Sequence, residues 1–89
     1  MRAVMTVIGP DRVGIIAGVS ALLAEKNVNI LDLSQTIMGG IFTMIVLVDT
    51  AEANCPFDGL RAAVDAWGAE NGLSTRIQRE DTFSAMHRI

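Results

Sequence analysis

The chain has 89 residues, of which 7 are basic and 10 acidic, giving a net charge of -3 at neutral pH. This length suits one domain with one small core, and the acidic balance lacks the positive field that attracts nucleic acids or anionic membranes. The longest apolar run, residues 44–48, is far shorter than the roughly 20 residues that cross a bilayer, so we expect neither nucleic acid nor membrane partners.

Targeting and metal-binding signals are weak. Residues 1–8 are too short for a signal peptide and lack a small-residue cleavage site, which favours a cytoplasmic location. Cys55 is the only cysteine, so we expect no internal disulfide and no cysteine-based metal cage. His87, the only histidine, has no metal-ligand spacing to an acidic residue or cysteine. We therefore predict no metal, no cofactor and no catalytic residue.

The first half of the chain predicts a strand, a helix and a second strand. Residues 2–8 are rich in β-branched and apolar types and predict a strand that is apolar on both faces. The following helix has apolar residues three and four positions apart: Ile15, Ile16, Val19, Leu22 and Leu23. Asn27 is typical of a helix stop. Residues 28–38 mix polar and apolar types, which predicts a less regular strand near a sheet edge.

The second half predicts a hairpin, a second helix and a last strand. Gly39 and Gly40 suit a two-residue turn into a third strand over residues 41–49, which is again apolar on both sides. Asn54 is a candidate cap for a helix whose apolar face consists of Phe57, Leu60, Val64 and Trp67. Residues 74–80 predict an edge strand protected by Arg76 and Arg79. A tail over residues 81–89 follows.

This element order predicts an α+β, ferredoxin-like βαββαβ sandwich, in which a four-stranded antiparallel sheet carries both helices on one face. Residues 1–89 then form a single domain whose first and third strands are central. The other face is apolar too, and each exposed aliphatic side chain forfeits roughly 1.5 to 3 kcal/mol of burial. We therefore predict a homodimer or higher oligomer, although Phe83, Met86 and Ile89 of the tail could also cover this face.

The segment 9–15 is the main candidate for a binding site. It gathers a proline, a carboxylate, a guanidinium group and a glycine just ahead of a helix N-terminus, where free N–H groups and the helix dipole favour small anions. A plainer interpretation is a tight turn in which the glycines serve backbone geometry alone. The residues by themselves leave both interpretations open.

A family resemblance favours the binding site. The segment Gly9-Pro-Asp-Arg-Val-Gly-Ile15, the strand opening Val28-Asn29-Ile30 and the element order together resemble the ACT domain family, whose members sense amino acids and other small metabolites. The resemblance covers nearly the whole chain. Within this family, the chain resembles small stand-alone ACT proteins similar to the transcriptional regulator of the glycine cleavage system.

The resemblance implies a set of ligand contacts. ACT domains usually hold their ligand between two domains, with the first loop of one facing the second strand of the other. This implies contacts from Asp11, Val13, Gly14 and Ile15 on the loop and from Asn29 and Ile30 on the strand. Arg12 is either a solvated charge or an anion contact, and Asn29 could instead bond the backbone at the strand start. Val13 stands where the family pattern has proline, which predicts a less rigid loop.

The predicted function is therefore that of a non-enzymatic regulatory protein, which binds a small metabolite such as an amino acid at a homodimer interface. Since 89 residues hold no second domain, an unidentified protein partner would receive the signal. Two alternatives stay open. One is an acylphosphatase-like hydrolase, in which Arg12 grips phosphate and Asn29 positions water. The other is a dimerisation module without a ligand.

Overall fold

The computed structural model describes residues 1–82, which follow the predicted element order. Its elements are β1 (Arg2–Pro10), α1 (Ile15–Glu25), β2 (Asn29–Met38), β3 (Ile41–Asp49), α2 (Phe57–Asn71) and β4 (Ser74–Arg79). The ferredoxin-like fold is thereby confirmed. Within residues 1–82, neither helix is long and apolar enough to span a membrane. The predictions for Phe83, Met86, His87 and Ile89 lie outside the described residues.

The sheet has the strand order β2-β3-β1-β4, and all three neighbouring pairs are antiparallel. The first and third strands are therefore central, as predicted. The pairing of β1 with β3 runs from Arg2 opposite Asp49 to Pro10 opposite Ile41. This register brings the hairpin turn between β2 and β3 beside the end of β1, where the Asp11 N–H donates a 2.9 Å hydrogen bond to the Gly40 carbonyl.

The core lies between the helices and one face of the sheet. Alternate residues of the central strands are buried there: Ala3, Met5, Val7, Phe42, Met44, Val46 and Val48. The helices contribute Ile15, Val19 and Leu23 from α1 and Leu60 and Val64 from α2. Ile16, predicted to share the apolar face of α1, is instead 41% exposed because it points about 100° around the helix from Ile15.

Strand β1 continues two residues past its predicted end, through Gly9 and Pro10. Proline is tolerated at position 10 because the pairing of β1 with β4 extends only to Ile8, which lies opposite Ser74. Beyond Ile8 no strand on that side needs the N–H that proline lacks. A Cβ atom on Gly9 would overlap the Leu73 side chain. The glycine therefore allows the end of β1 to pass close to the connection between α2 and β4.

The two asparagines proposed as helix signals have different roles. Asn27 adopts φ 57° and its N–H donates a 3.0 Å hydrogen bond to the Ala24 carbonyl, which confirms the predicted helix stop. Asn54 does not cap α2: its side-chain amide donates a 2.8 Å hydrogen bond to the Glu25 carbonyl at the end of α1. The free carbonyls at the C-terminus of α1 attract such donors. Because the Asn54 side chain is used there, α2 begins after Pro56 without a side-chain cap.

The sheet face opposite the helices carries several aliphatic side chains. Ile8, Ile41 and Ile45 are 45%, 55% and 42% exposed on this face. Polar Thr6 and Thr43 lie among them in the register of β1 and β3. Coverage of this face by a second copy of the chain stays a prediction.

Candidate ligand-binding site

A groove of about 370 Å³ lies beside the loop that joins β1 to α1. One wall consists of the loop and the first turn of α1, including Asp11, Gly14 and Ile16. The opposite wall comes from Gln35 and Ile37 of β2 and Phe42 of β3. A volume of this size falls within the roughly 300 to 1,000 Å³ that is usual for small-molecule sites.

The first turn of α1 offers free backbone donors to this groove. Gly14 precedes the helix with φ 96°, a left-handed conformation that glycine adopts without steric cost, and no side chain caps the helix. The first intrahelical hydrogen bond runs from the Gly18 N–H to the Gly14 carbonyl, at 2.9 Å. The N–H groups of residues 15–17 therefore have no intrahelical partner, and the first turn has no acidic side chain. This end of α1 can receive an anion.

The predicted loop residues lie together at the groove. Asp11, Val13, Gly14 and Ile15 all line it. Asp11 is exposed and offers carboxylate oxygens as acceptors. Val13 is fully exposed at the tip of the loop, so its apolar side chain makes no internal packing contact that would stiffen the loop.

Arg12 is neither fully solvated nor simply free to bind an anion. Its Nη2 donates a 2.8 Å hydrogen bond to Asn71 Oδ1, and Asn71 Nδ2 donates a 2.7 Å bond to the Trp67 carbonyl. The guanidinium charge thus lies at the C-terminal end of α2, where the helix dipole favours a cation. This contact fastens the loop of the groove to the second helix.

The predicted strand residues lie at the far end of the sheet within one chain. Asn29 is paired with Asp49, whereas the groove is next to Ile41 at the other end of β3. Eight residues of extended strand separate these ends by about 26 Å. One chain therefore does not bring Asn29 and Ile30 to the loop. The same separation keeps Arg12 and Asn29 apart, although an acylphosphatase-like site would need both.

Sequence reasoning missed the far wall of the groove and the helical part of the near wall. The residues not predicted there are Ile16, Ala17, Gln35, Ile37 and Phe42. The signal that could have found part of this set is the register of the predicted hairpin: antiparallel pairing across Gly39 and Gly40 places Ile37 opposite Phe42, at the end of the sheet where the loop begins.

Known proteins share this architecture. The ACT domain family model matches residues 2–78. A UPF0237 protein of Listeria monocytogenes serotype 4b is 51% identical over 89 residues, covering 100% of both chains. The structure of an ACT domain protein from Streptococcus pneumoniae is similar with a TM-score of 0.82 and 39% identity, over 98% of each chain. A candidate glycine cleavage system transcriptional repressor is similar with a TM-score of 0.74 and 25% identity, over 86% of this chain and 44% of its own. The sequence match and the shared fold together establish that the chain belongs to the ACT domain family.

Proposed function

We propose that this ACT domain protein is a non-enzymatic cytoplasmic regulator that binds a free amino acid in the groove, at the interface of a homodimer. The observation that carries the proposal is the chemistry of the two walls. Free N–H groups of α1 lie on one wall near the Asp11 carboxylate, and the apolar side chains of Ile37 and Phe42 lie on the other. These groups complement the carboxylate, the ammonium group and the side chain of one small molecule.

The helix N-terminus would bind the carboxylate of the amino acid. Hydrogen bonds to an ionised acceptor are shorter and stronger than neutral ones. The helix end itself contributes about 0.3 to 1 kcal/mol at an exposed position and up to about 2 kcal/mol when partly buried. The ammonium group would bond to the Asp11 carboxylate or to the side-chain oxygen of Gln35, both of which line the groove.

The free edge of β2 supports self-association. This strand has ten residues, contains neither proline nor a basic side chain, and pairs only with β3 in residues 1–82. Edge strands without such protection tend to pair with another chain. The other edge strand, β4, instead carries Arg76 and Arg79. We therefore propose that two copies pair antiparallel along β2.

A β-bulge in β2 sets the register of that pairing. The register against β3 shifts between Ile30 and Asp32, so Ile30 faces the helices opposite Val48. If two copies pair with Ser34 opposite Ser34, the bulge brings Ile30 of one opposite Ile37 of the other. Both side chains then lie on the helix face, as antiparallel partners must. The Ile30 side chain of the second copy would thereby reach the groove of the first, with the Asn29 backbone next to it and the Asn29 side chain on the other face, opposite Met38.

Ligand binding would then stabilise the dimer, because the site is complete only when two copies meet. A ligand that binds the assembled form shifts the equilibrium toward it by mass action. We propose that an unidentified protein partner distinguishes the two states.

A thermal-shift screen of the twenty amino acids tests the proposal. A ligand at 100 times its dissociation constant should stabilise the protein by about 2.7 kcal/mol. The matched variants are Ile16→Glu and Ile16→Gln, since Ile16 is 41% exposed and lines the groove. The glutamate should stabilise the helix N-terminus by about 0.3 to 1 kcal/mol and yet repel the ligand carboxylate.

Loss of the shift in Ile16→Glu with retention of most of it in Ile16→Gln supports the groove as the site. No shift with any amino acid contradicts amino acid binding and favours the dimerisation module without a ligand. Hydrolysis of a simple acyl phosphate that disappears in Arg12→Ala would contradict the non-enzymatic role.

A further inference from the structure

A second groove, of about 390 Å³, lies at the opposite edge of the sheet. One wall is the outer edge of β4, with Thr75, Arg76, Gln78 and Arg79, and the other is the side of α2, with Arg61 and Asp65. This groove is separate from the proposed amino acid site, because β3 and β1 lie between β2 and β4. Its lining also differs, because most of its side chains are charged or polar.

Three arginines against one carboxylate, that of Asp65, give this groove a positive field in a chain whose net charge is -3. Arg61 and Arg79 each have an acidic neighbour, at 3.9 Å from Asp58 and 3.7 Å from Asp81. Both contacts are long and solvent-exposed, so they hold the guanidinium groups only weakly. Arg76 makes no ion pair with any residue of the described range 1–82. The groove therefore has cationic groups that a negatively charged partner can engage.

One of these arginines is already held in position. The Arg61 guanidinium carbon lies 5.1 Å from the centroid of the Phe57 ring, a cation–π contact on the surface of α2. A side chain held by such a contact loses less rotamer freedom when a partner binds, which lowers the entropic cost of association.

The backbone of β4 provides a second element of recognition. Its six residues pair with β1 on one side, and no strand of residues 1–82 pairs with the other side. An edge strand flanked by a helix can accept an extended peptide, whose main chain adds to the sheet while its side chains contact the helix. The groove between β4 and α2 has this arrangement.

We infer that this groove binds an extended acidic segment of a partner protein, which adds a strand to β4. In the register of the sheet, Arg79 lies opposite Ala3 on the helix face and Arg76 lies opposite Thr6 on the other face. Carboxylates on the helix side of the added strand would meet Arg61 and Arg79. Those on the other side would meet Arg76.

Two other occupants fit the charges less well. A second copy pairing along β4 would bring four guanidinium groups onto a ladder of six residues, and like charges on neighbouring strands destabilise a sheet. Residues 83–89 carry Arg88 and no acidic side chain, so they also lack the complementary charge. An acidic partner is favoured on both counts.

The test uses the full chain and a fluorescent peptide of alternating Glu and Thr with the length of β4. Control peptides replace Glu by Gln or carry N-methyl groups on alternate backbone nitrogens. Fluorescence anisotropy at low ionic strength should show that the acidic peptide binds and that Arg61→Gln/Arg79→Gln weakens binding about tenfold, since two exposed charge pairs are lost. Lys26→Gln removes a positive charge outside the groove and should leave the affinity unchanged.

A charge-reversal variant distinguishes loss of charge recognition from loss of folding. Arg61→Glu/Arg79→Glu should reject the acidic peptide and bind a peptide of alternating Lys and Thr, which shows that the variant is folded. Equal affinity for the Gln peptide, or unchanged affinity in Arg61→Gln/Arg79→Gln, would overturn the charge recognition. Full affinity for both N-methylated peptides, one for each alternate set of backbone nitrogens, would overturn strand addition, because one of the two cannot donate hydrogen bonds to β4.

Discussion

The Arg12 guanidinium donates a 2.8 Å hydrogen bond to the side-chain oxygen of Asn71, which lies 59 residues away in the sequence. Through this contact the loop beside the candidate ligand groove is attached to the last turn of α2. Asn71 in turn donates a 2.7 Å hydrogen bond to the Trp67 carbonyl. The loop is therefore positioned by tertiary contact as well as by its own sequence.

The energetic coupling of this pair can be measured. Arg12→Ala and Asn71→Ala should each lower the free energy of unfolding by about 0.5 to 1.5 kcal/mol, because each removes the same exposed hydrogen bond. The free energy of unfolding lost in the double variant should be smaller than the sum of the two single losses by at least about 0.5 kcal/mol. Urea unfolding of the four proteins checks this. Strict additivity would show that the contact makes no energetic contribution.

Gly14 should be sensitive to substitution for a reason that does not apply to Gly59. Gly14 has φ 96°, so Gly14→Ala should cost about 1 to 2 kcal/mol of stability although nothing lies within 4 Å of the new Cβ. In Gly59→Ala the Cβ would lie 3.6 Å from Cys55 Cβ, an ordinary van der Waals contact, and Gly59 lies within α2. That control should stabilise the protein by about 0.5 to 1 kcal/mol. If urea unfolding shows that both substitutions change the free energy of unfolding in the same direction, the contrast between the two glycines is contradicted.

The proposed dimer places Ser34 of one copy opposite Ser34 of the other. Directly opposed residues of antiparallel strands have Cα atoms about 4.5 to 5.5 Å apart, which is within the range of a disulfide. Ser34→Cys in a Cys55→Ser background should therefore form a covalent dimer under mild oxidation, as seen on a non-reducing gel. The control Ser74→Cys, on the other edge strand, should remain monomeric on the same gel. Equal cross-linking of both variants would contradict pairing along β2.

Asp49 should contribute to the acid stability of the fold. The Ala51 N–H donates a 2.9 Å hydrogen bond to its carboxylate, and the N-terminal ammonium lies 3.6 Å away. The hydrogen bond, more than the charge of the N-terminus or of Arg2, lowers the pKa of Asp49 below its ordinary 3.8. Because the folded pKa lies below the unfolded one, this stabilisation is present above pH 3.8 and is lost as the pH falls through the folded pKa.

Asp49→Asn should therefore be less stable than the unaltered protein at neutral pH, and the difference should shrink as the pH falls below that ordinary pKa. Urea unfolding at a series of pH values measures both curves. Glu70→Gln is the control, since the Glu70 carboxylate makes no hydrogen bond or ion pair with any residue of the range 1–82. A constant difference between Asp49→Asn and the unaltered protein at every pH would contradict the predicted linkage.

The fold could be predicted from the sequence because its signals are local. The apolar period of α1, the glycines at residues 39–40 and the helix stop at Asn27 each define one element or one boundary. The order of these elements then leaves few topologies, and the central position of β1 followed from its apolar character on both faces. No long-range contact had to be known for this result.

Only the loop half of the candidate site could be predicted, because the other half depends on contacts between segments that are distant in the sequence. The loop residues are adjacent in sequence, whereas Gln35 and Ile37 reach the groove through the pairing of β2 with β3. The bulge between Ile30 and Asp32, which decides the face on which Ile30 lies, has no glycine or proline to mark it. The contact of Arg12 with Asn71 depends on the packing of two distant segments, which composition and periodicity do not encode.

The central claim is that an amino acid binds at the N-terminus of α1, and the most direct test is an amide proton–nitrogen correlation spectrum during titration with amino acids. We expect the largest chemical-shift changes at Ile15, Ile16 and Ala17, with changes at Ile37 and, across the dimer, at Asn29. Saturable changes at these amides would support the site. An unchanged spectrum in the first turn of α1, at ligand concentrations that shift other amides, would contradict it.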